Sequence, residues 1–390
     1  MRPYVLLVET QGRILSELGP SNTNQLPWES LLVHDTEAAL EILRLRRVAV
    51  VVVNCGSDLP SMEALFSQIK AFDQTIIRLG LAAKEKQLCD TPSSVQQILA
   101  AKCRKEDILG AIESALQVHE KLQANPNLAS FISQLHHLPT PPALYFSLRD
   151  ELESPNGSLK GIANLLAKDT ALTARILRIA NSGFYARPRR ICELHEAVGL
   201  IGIDLVLGIV LAAHLFDRLP IPGLNLDDLW KHNFAVAKIA HHIAKSNHTD
   251  PSLLHAAHLA GLLHDLGALV LLANVPGHYQ SLMRRAQGDE QSLVQLEREE
   301  LGAGHPEIGA VVLTLWNLPE IVALAVGSHH DLNDQTFPQA NPVSQAVFLA
   351  ESLVTEFAQQ SRNPQTTVVD TPLKQQWRIE CEPLLAAALK

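Results

Sequence analysis

The pattern of apolar and polar positions divides the chain into two regions with different secondary structure. Up to Leu122, short apolar runs rich in β-branched residues alternate with stretches whose apolar residues recur at helical spacing. Buried parallel strands separated by helices produce this pattern, so we predict an α/β fold with a doubly wound parallel sheet. The predicted strands are Tyr4–Val8, Val48–Val53, Thr75–Leu79 and Gln97–Ala100, and the predicted helices are Thr36–Arg46, Ser61–Phe72 and Lys105–Leu122.

The second region, from Leu128 onward, carries only helical patterns, separated by short breaks that contain proline or glycine. Residues 197–216 are predicted to form one buried helix, and residues 225–272 an antiparallel pair of long helices. After Pro342 we predict one more helix to about Gln359, followed by a loosely ordered tail. This region is therefore predicted to be all-α.

Breaks in the pattern set the predicted domain boundaries. Asn125 and Pro126 interrupt the helical pattern, which places an α/β domain at 1–122 and an all-helical domain at 128–335. Residues 336–390 are expected to form a C-terminal helix and tail that pack on the helical domain. Inside the helical domain, Asp169 and His305 are predicted to be helix N-caps.

Composition and charge narrow the class of protein. The net charge is -9, and residues 123–390 hold 19 Lys and Arg against 26 Asp and Glu, so we expect no direct nucleic-acid binding. The five cysteines include no closely spaced pair, which is typical of free thiols in a reducing compartment. Asp204 and His214 interrupt the most apolar stretch, so we predict no membrane span and expect a cytoplasmic location.

The strand order and lengths of residues 1–120 resemble the receiver domain of response regulators, but most of the diagnostic residues are replaced. Glu9 is followed by Thr10 where a receiver has an acidic pair, and Asn54 occupies the position of the phosphoacceptor Asp. Lys102 matches the receiver lysine. Because an amide accepts no phosphoryl group and one carboxylate makes no Mg²⁺ site, we interpret this domain as a degenerate receiver that serves as an interaction platform.

Several segments of the helical region resemble the HDOD domain, a branch of the HD phosphohydrolase superfamily found in bacterial signalling proteins. The resemblance covers about 200 residues and rests on specific motifs. The segments are LPTPPAL from residue 138, LLAKDTALTARILRIANSGFY from residue 165, AVGLIG from residue 197, LWKHNFAVAKIA from residue 229, LAGLLHDLGALVL from residue 259, GHPEIGAVVLTLWNLPEIVALAV from residue 304, and SHHD from residue 328.

One pair of residues in this region points to metal chemistry without the family resemblance. His264 and Asp265 are adjacent within an otherwise apolar helical pattern, where they are costly to bury unless paired or metal-bound. His232 lies on the preceding helix with Asp228 one turn before it, and an antiparallel partner helix can bring them close. The remaining histidines of this helical pair, namely His241, His242, His248, His255 and His258, are predicted to be structural.

The related HD-GYP enzymes take metal ligands from corresponding places, which extends the predicted set. Resemblance adds His305, the adjacent His329 and His330, and Glu351 in place of a final Asp. Imidazoles and carboxylates suit one or two divalent ions of Fe, Mn, Ni or Zn. The complete predicted metal set is Asp228, His232, His264, Asp265, His305, His329, His330 and Glu351.

Metal ligands do not by themselves predict hydrolysis. HD-GYP phosphodiesterases carry a lysine three residues after the HD pair and a Gly-Tyr-Pro segment after the double His, whereas this chain has Ala268 and no such segment. We therefore favour a non-catalytic signalling module with no catalytic residues, whose partners are other signalling proteins or a second copy in a homodimer. The alternatives are a metal-dependent phosphohydrolase acting on a nucleotide or other phosphate ester, and a ligand or metal sensor.

Overall fold

The N-terminal part of the protein contains a five-stranded, wholly parallel sheet with strand order β2-β1-β3-β4-β5. The computed structural model describes residues 2–10, 12, 14–19, 26–54, 56, 58–82, 94–100, 104–135, 141–182, 185, 189–216, 226–333, 335–362 and 372–388. The strands are β1 (Tyr4–Glu9), β2 (Glu29–Val33), β3 (Val48–Asn54), β4 (Ile77–Ala82) and β5 (Gln97–Ala100). This order is that of flavodoxin-like sheets, which receiver domains share, and it confirms the predicted α/β fold class.

One strand of this sheet was not predicted from the sequence, and another begins two residues later than predicted. Strand β2 was not predicted because it is a partly exposed edge strand that begins with Glu29 and Ser30, so it lacks a continuous apolar run. Strand β4 begins at Ile77 rather than Thr75, because the backbone N–H and hydroxyl of Thr75 both donate to Asp73 Oδ1 at 2.8 Å and hold a turn there. The sheet therefore has five strands, not the four that were predicted.

Three helices accompany the sheet, namely α1 (Thr36–Leu45), α2 (Leu59–Phe72) and α3 (Lys105–Ala124). Strand β3 is buried along its whole length, which explains its unbroken run of valines. Helix α3 ends at Ala124, and the side chain of the next residue, Asn125, accepts a hydrogen bond from Leu128 N at 3.1 Å and caps α4 (Pro126–Gln134). The predicted break at residues 123–127 thus lies at a junction between two helices.

Every later element that the structure describes is helical, as predicted. The helices are α5 (Ala143–Glu153), α6 (Leu159–Leu166), α7 (Thr170–Ala180), α8 (Leu194–Ile201), α9 (Ile203–Phe216), α10 (Leu226–Asn247), α11 (Pro251–Leu263), α12 (Leu266–Asn274), α13 (Pro276–Ala286), α14 (Glu290–Leu301), α15 (His305–Leu315), α16 (Glu320–Gly327), α17 (Pro342–Arg362) and α18 (Pro372–Ala388). Asp169 caps α7 by accepting from Leu172 N at 2.9 Å, as predicted.

The chain forms two compact units. The first comprises residues 1–140, 295–304 and 311–318, and the second comprises residues 141–294, 305–310 and 319–390. Within the first unit, the Ser114 hydroxyl on α3 donates to Asn317 Oδ1 at 2.9 Å, so segments distant in sequence are joined there. Within the second unit, α10 packs against both α11 and α17, and these three helices form its centre.

Three predictions about the helical region are wrong. Residues 197–216 form two helices, α8 and α9, bent by 105° at Gly202, whose φ of +89° is favourable only for glycine. The tail is not loosely ordered throughout, since α18 packs on α10 and α17, Trp377 and Cys381 are buried, and Arg378 Nη2 donates to Glu356 Oε2 of α17 at 2.6 Å. His264 and Asp265 do not lie inside one helix, because α11 ends at Leu263 and α12 begins at Leu266.

One helical stretch, Pro251–Asn274, is long and apolar enough to cross a membrane if its break at His264 and Asp265 is disregarded. The bent pair of α8 and α9 passes the same test when taken as one span. However, 78% of the apolar window in Pro251–Asn274 is buried inside the protein, as in the core helix of a globular domain. Its hydropathy is therefore weak evidence for a membrane span.

Candidate metal centre

The receiver-like site lies at the carboxyl ends of β1 and β3, where Glu9 and Asn54 occupy paired positions. The Glu9 carboxylate is 3% exposed and accepts hydrogen bonds from Leu15 N and Ser16 N, both at 2.8 Å, and from the Ser16 hydroxyl at 2.5 Å. Asn54 Nδ2 donates to the same carboxylate at 3.3 Å. Glu9 therefore holds the 3₁₀ turn at residues 16–18 in place, and its oxygens are already used by protein donors.

Asp58, a carboxylate four residues beyond Asn54, has a structural role in helix α2. Asp58 accepts from Ser61 N at 3.2 Å and is the N-cap of α2, so it is used in helix formation. Lys102, predicted as the receiver lysine, lies outside the described residues. Among the described residues, Glu9 and Asn54 thus form a carboxylate–amide pair rather than an acidic pair.

A second cluster of polar side chains lies in the helical unit, supplied by five segments of chain. His232 comes from α10, His264 and Asp265 from the break between α11 and α12, and Glu351 from α17. The N-terminus of α15 supplies His305, and the turn after α16 supplies His329 and His330. The break between α11 and α12 lets both His264 and Asp265 face the cluster. In a continuous helix, adjacent side chains point in different directions.

Three of these side chains form the first donor group, defined as His232, His264 and Glu351. Glu351 Oε2 lies 2.9 Å from His232 Nε2 and 3.1 Å from His264 Nε2, and the two Nε2 atoms are 3.3 Å apart. Two nitrogens bound ~2.1 Å from one ion at an angle of roughly 100° have the same separation of about 3.3 Å. The first donor group therefore has the spacing of ligands that share one metal ion.

Three histidines form the second donor group, defined as His305, His329 and His330. The Nε2 atoms of His305 and His329 are 3.3 Å apart, and the ring centroids of His329 and His330 are 4.1 Å apart. His305 and His329 are each 1% exposed, so their imidazoles are almost wholly buried. A set of three imidazoles suits Zn²⁺, Fe²⁺, Ni²⁺ or Mn²⁺. These ions differ in their affinity for such a site.

Asp265 lies between the two donor groups and turns one oxygen toward each. Its Oδ2 is 3.3 Å from His264 Nε2 and 3.8 Å from His232 Nε2, whereas its Oδ1 is 3.9 Å from His305 Nε2. Asp265 also forms a close group of possible ligands with His264 and His329. This placement is that of a carboxylate able to bridge two metal ions.

Backbone carbonyls orient two of the imidazoles. His264 Nδ1 lies 2.8 Å from the Gly261 carbonyl oxygen, and His329 Nδ1 lies 2.6 Å from the Val326 carbonyl oxygen. Because a carbonyl only accepts, each Nδ1 carries the proton, and Nε2 is left with its lone pair when the ring is neutral. Metal-binding histidines commonly have this arrangement, with one ring nitrogen held by the backbone and the other on the ion.

The Glu351 carboxylate provides the test of whether these residues fit a metal. Its Oε2 is buried and close to two imidazole nitrogens, yet neither contact has the alignment of a hydrogen bond, so Oε2 is a buried acceptor without a hydrogen-bond partner. Its Oε1 accepts from the Thr355 hydroxyl at 2.8 Å, which holds the side chain in place. A cation among the nearby donors would satisfy Oε2, so the residues fit a bound metal ion.

The electrostatics differ between the two donor groups. Burial lowers the pKa of His264, but the charges of Asp265 and Glu351 outweigh it and raise that pKa well above its usual value. In the second donor group no carboxylate compensates to the same extent, so burial and the neighbouring imidazoles lower the pKa of His329 and bring that of His330 to about 4. Without metal, protons on the first donor group therefore neutralise the carboxylates, whereas His329 and His330 of the second donor group are neutral.

Asp228 is the predicted ligand that is not brought into either donor group. Its side chain is exposed on the first turn of α10, and it belongs to none of the close groups among the described residues. The other seven predicted metal residues all occur in those groups. A residue that sequence analysis missed is Glu290, at the start of α14, whose pKa is raised to about 7 by burial and by the charges of Asp265 and Glu351. No motif distinguishes Glu290 in the sequence.

Comparison with known proteins identifies the family of the helical region. The model of the HDOD domain family matches residues 138–332. A protein of Treponema pallidum (strain Nichols) without an assigned function is 26% identical over 207 residues, which are 52% of this chain and 40% of that protein. This chain thus spans well under two thirds of the length of that relative.

Two solved structures illustrate the structural likeness. An HDOD domain protein of unknown function from Geobacter sulfurreducens is 25% identical, with a TM-score of 0.50, over 68% of this chain and 92% of that one. A protein from Shewanella amazonensis SB2B, named as a proposed metal-dependent phosphohydrolase, is 20% identical with a TM-score of 0.46, over 72% of this chain and all of that one. The second likeness is too low to support an argument about activity.

Proposed function

The chain belongs to the HDOD domain family, and from this premise we propose that it is a metal-binding signal-transduction protein whose helical domain acts without catalysis. The observation that carries the proposal is the convergence of the first and second donor groups on the two oxygens of Asp265. One or two divalent ions at this cluster would hold five chain segments together and so stabilise one conformation of the domain. The expected partners are other signalling proteins or a second copy of the chain.

The receiver-like domain supports a regulatory role that needs no phosphoryl transfer. Because Glu9 is occupied by Leu15, Ser16 and Asn54, its carboxylate is a structural group rather than a Mg²⁺ ligand. We propose that this domain serves as an interaction platform. Incubation with a small phosphodonor and Mg²⁺ should leave residues 1–122 without a phosphoryl adduct, and a stable adduct detected by mass spectrometry would refute this part of the proposal.

Elemental analysis of the full chain, purified without chelator, tests the metal proposal. We expect about one or two transition-metal ions per chain, whereas less than ~0.1 ion per chain after supplementation with Fe, Mn, Ni or Zn would contradict the proposal. The matched control is His242→Ala, which removes a histidine of α10 outside both donor groups. This variant should retain the metal content of the wild type.

A second candidate, metal-dependent phosphoester hydrolysis, is favoured by two observations. Asp265 faces both donor groups, as in sites where two ions bind an attacking and a leaving oxygen, and Glu290 has a pKa of about 7, which suits a proton donor or acceptor at neutral pH. Against it, Ala268 replaces the lysine of HD-GYP enzymes. Turnover of a generic phosphodiester by metal-loaded protein, lost in both Asp265→Asn and Glu290→Gln, would favour this candidate over the non-catalytic one.

A further inference from the structure

A group of basic side chains lies between α10 and α11, apart from the residues of the two donor groups. Lys238 and His241 lie one turn apart on α10, and His258 lies on α11. The rings of His241 and His258 are 5.1 Å apart between centroids, and Lys238 Nζ lies 3.9 Å from the ring centroid of Tyr185. We call Lys238, His241, His258 and Tyr185 the basic pocket. Sequence analysis treated its histidines as structural, and nothing in the proposed function uses them.

Two polar atoms of the basic pocket are buried without a partner. His258 is 8% exposed, and its Nε2 has no hydrogen-bond partner, nor does the hydroxyl of Tyr185. His241 Nδ1 lies 3.3 Å from the Leu254 carbonyl oxygen, so that nitrogen carries a proton. Buried polar groups in folded proteins are nearly always hydrogen-bonded, so each of these two atoms is open to a partner from outside the chain.

The charges around the basic pocket indicate whether that partner is an anion or a cation. Among the described residues, none of Lys238, His241 and His258 forms an ion pair. No carboxylate raises the pKa of Lys238, His241 or His258, and the acidic residue Asp204 is paired with exposed His255 at 3.0 Å. Burial lowers the pKa values of Lys238, His241 and His258, and for the two histidines the strongest neighbouring charges are other basic groups. The pocket thus lacks negative charge.

The donors also specify the chemical class. The donors available in the pocket are the Lys238 ammonium, the Tyr185 hydroxyl and one ring N–H of His258. The N–H of His241 is directed at the Leu254 carbonyl oxygen and orients that ring. A metal ion would be repelled by the ammonium group of Lys238. We propose that the basic pocket binds a small oxyanion, such as inorganic phosphate or the phosphate or carboxylate group of a metabolite. Lys238 and His241 are only partly buried, which leaves the pocket open to such a ligand.

Calorimetric titration of the full chain with inorganic phosphate tests this proposal. The protein is first treated with chelator and kept free of phosphate and sulfate, so that binding to a metal ion does not contribute. We expect saturable binding, and at phosphate about fivefold above Kd a rise in Tm of ~2–4 °C. Titration with acetate and with sulfate then distinguishes a preference for phosphate from one for carboxylate. Absence of saturable binding by all three anions overturns the proposal.

Matched variants locate the binding. Lys238→Met, which keeps the length of the side chain but removes its charge, should weaken phosphate binding at least ~10-fold, whereas Lys238→Arg should retain most of it. The control Lys231→Met removes an exposed lysine of the same helix and should bind phosphate like the wild type. Equal affinity of Lys238→Met and the wild type would overturn the proposal.

A second pair of measurements separates this site from the metal cluster and from a structural role of His258. In Asp265→Asn, phosphate binding should be unchanged, so failure of the metal proposal leaves this result intact. His258→Phe should raise Tm in the absence of anion, because an unpartnered buried nitrogen is removed, and should abolish the phosphate-dependent rise in Tm. A phosphate-dependent rise in this variant equal to that of the wild type would overturn the proposal.

Discussion

Two sites in this protein hold buried carboxylates, and they differ in what those carboxylates contact. In the receiver-like domain, Glu9 accepts hydrogen bonds from the backbone and hydroxyl of its own turn. In the helical unit, Asp265 and Glu351 are surrounded by imidazole nitrogens, and Glu351 Oε2 has no aligned donor. The same functional group is thus structural in one site and available to a ligand in the other.

The difference shows that burial of an acidic residue is a poor guide to its role. Glu9 and Glu351 are 3% and 4% exposed, so burial does not distinguish them. The two carboxylates differ in the groups that surround them. A backbone N–H keeps its proton, whereas an imidazolium releases its proton to solvent when a metal ion binds the ring nitrogen. The carboxylate of Glu9 is therefore expected to affect folding, and those of Asp265 and Glu351 to affect metal affinity.

The largest effect is expected from Asp265→Asn. Because Asp265 faces both donor groups, loss of its charge should lower metal affinity by more than ~100-fold, as measured by calorimetry with Zn²⁺ or Mn²⁺. Asp228→Asn is the control, since the Asp228 side chain is exposed and outside both donor groups. An equal loss of affinity in Asp228→Asn would show that Asp228 is a ligand, as predicted from the sequence.

The second effect concerns folding of the receiver-like domain. Glu9→Leu should lower the free energy of unfolding of this domain by ~2–3 kcal/mol, because it leaves the N–H groups of Leu15 and Ser16 without acceptors. Denaturant unfolding followed by hydrogen exchange on residues 2–82 measures the loss, with exposed Glu17→Leu as control. If Glu9→Leu instead leaves stability unchanged and abolishes Mg²⁺ binding, the contrast between the two sites fails.

Much of the fold and of the metal site could be predicted because burial produces periodic apolar positions in the sequence, and because two of the predicted ligands are adjacent in it. The valine run of β3 and the helical spacing after Leu128 follow from burial. Six of the predicted ligands make up the two donor groups and a seventh, Asp265, lies between them. His264 and Asp265 could be singled out because an adjacent imidazole and carboxylate are costly to bury in an apolar stretch.

Features that depend on tertiary context could not be predicted. Strand β2 is visible only through its pairing with β1, and the bend at Gly202 depends on a single backbone angle. Asp228 satisfies the one-turn spacing from His232, but spacing along a helix does not decide whether a side chain reaches a cluster. Glu290 and the basic pocket were missed for the same reason, since each is defined by neighbours from other helices.

A third effect should appear in the pH dependence of metal binding, which should differ between the first and second donor groups. Asp265 and Glu351 raise the pKa of His264, and of His232 despite burial, so a metal ion in the first donor group must displace protons. Its affinity should rise as pH increases, by up to ~10-fold per pH unit for each proton released. In the second donor group, burial lowers the pKa of His329 and brings that of His330 to about 4, so these two imidazoles are already neutral above pH 6.

Calorimetry between pH 6 and 8, in buffers with different ionisation enthalpies, counts these protons. The expected result is proton release on filling the first donor group and nearly none on filling the second. His330→Ala, which removes a ligand found in the second donor group only, should keep the pH-dependent event. Equal proton release for both binding events would contradict the assignment of charge to the first donor group.

The smallest effect tests a single hydrogen bond of the structural carboxylate. Ser16→Ala removes the hydroxyl that donates to Glu9 Oε2 but keeps the backbone N–H of residue 16, which donates to the same oxygen at 2.8 Å. The carboxylate keeps its backbone donors, so the free energy of unfolding should fall by only about 1 kcal/mol, less than in Glu9→Leu. Because the two substitutions act on one network, Ser16→Ala should have almost no further effect in a Glu9→Leu background, whereas additive losses would show that the serine acts independently of Glu9.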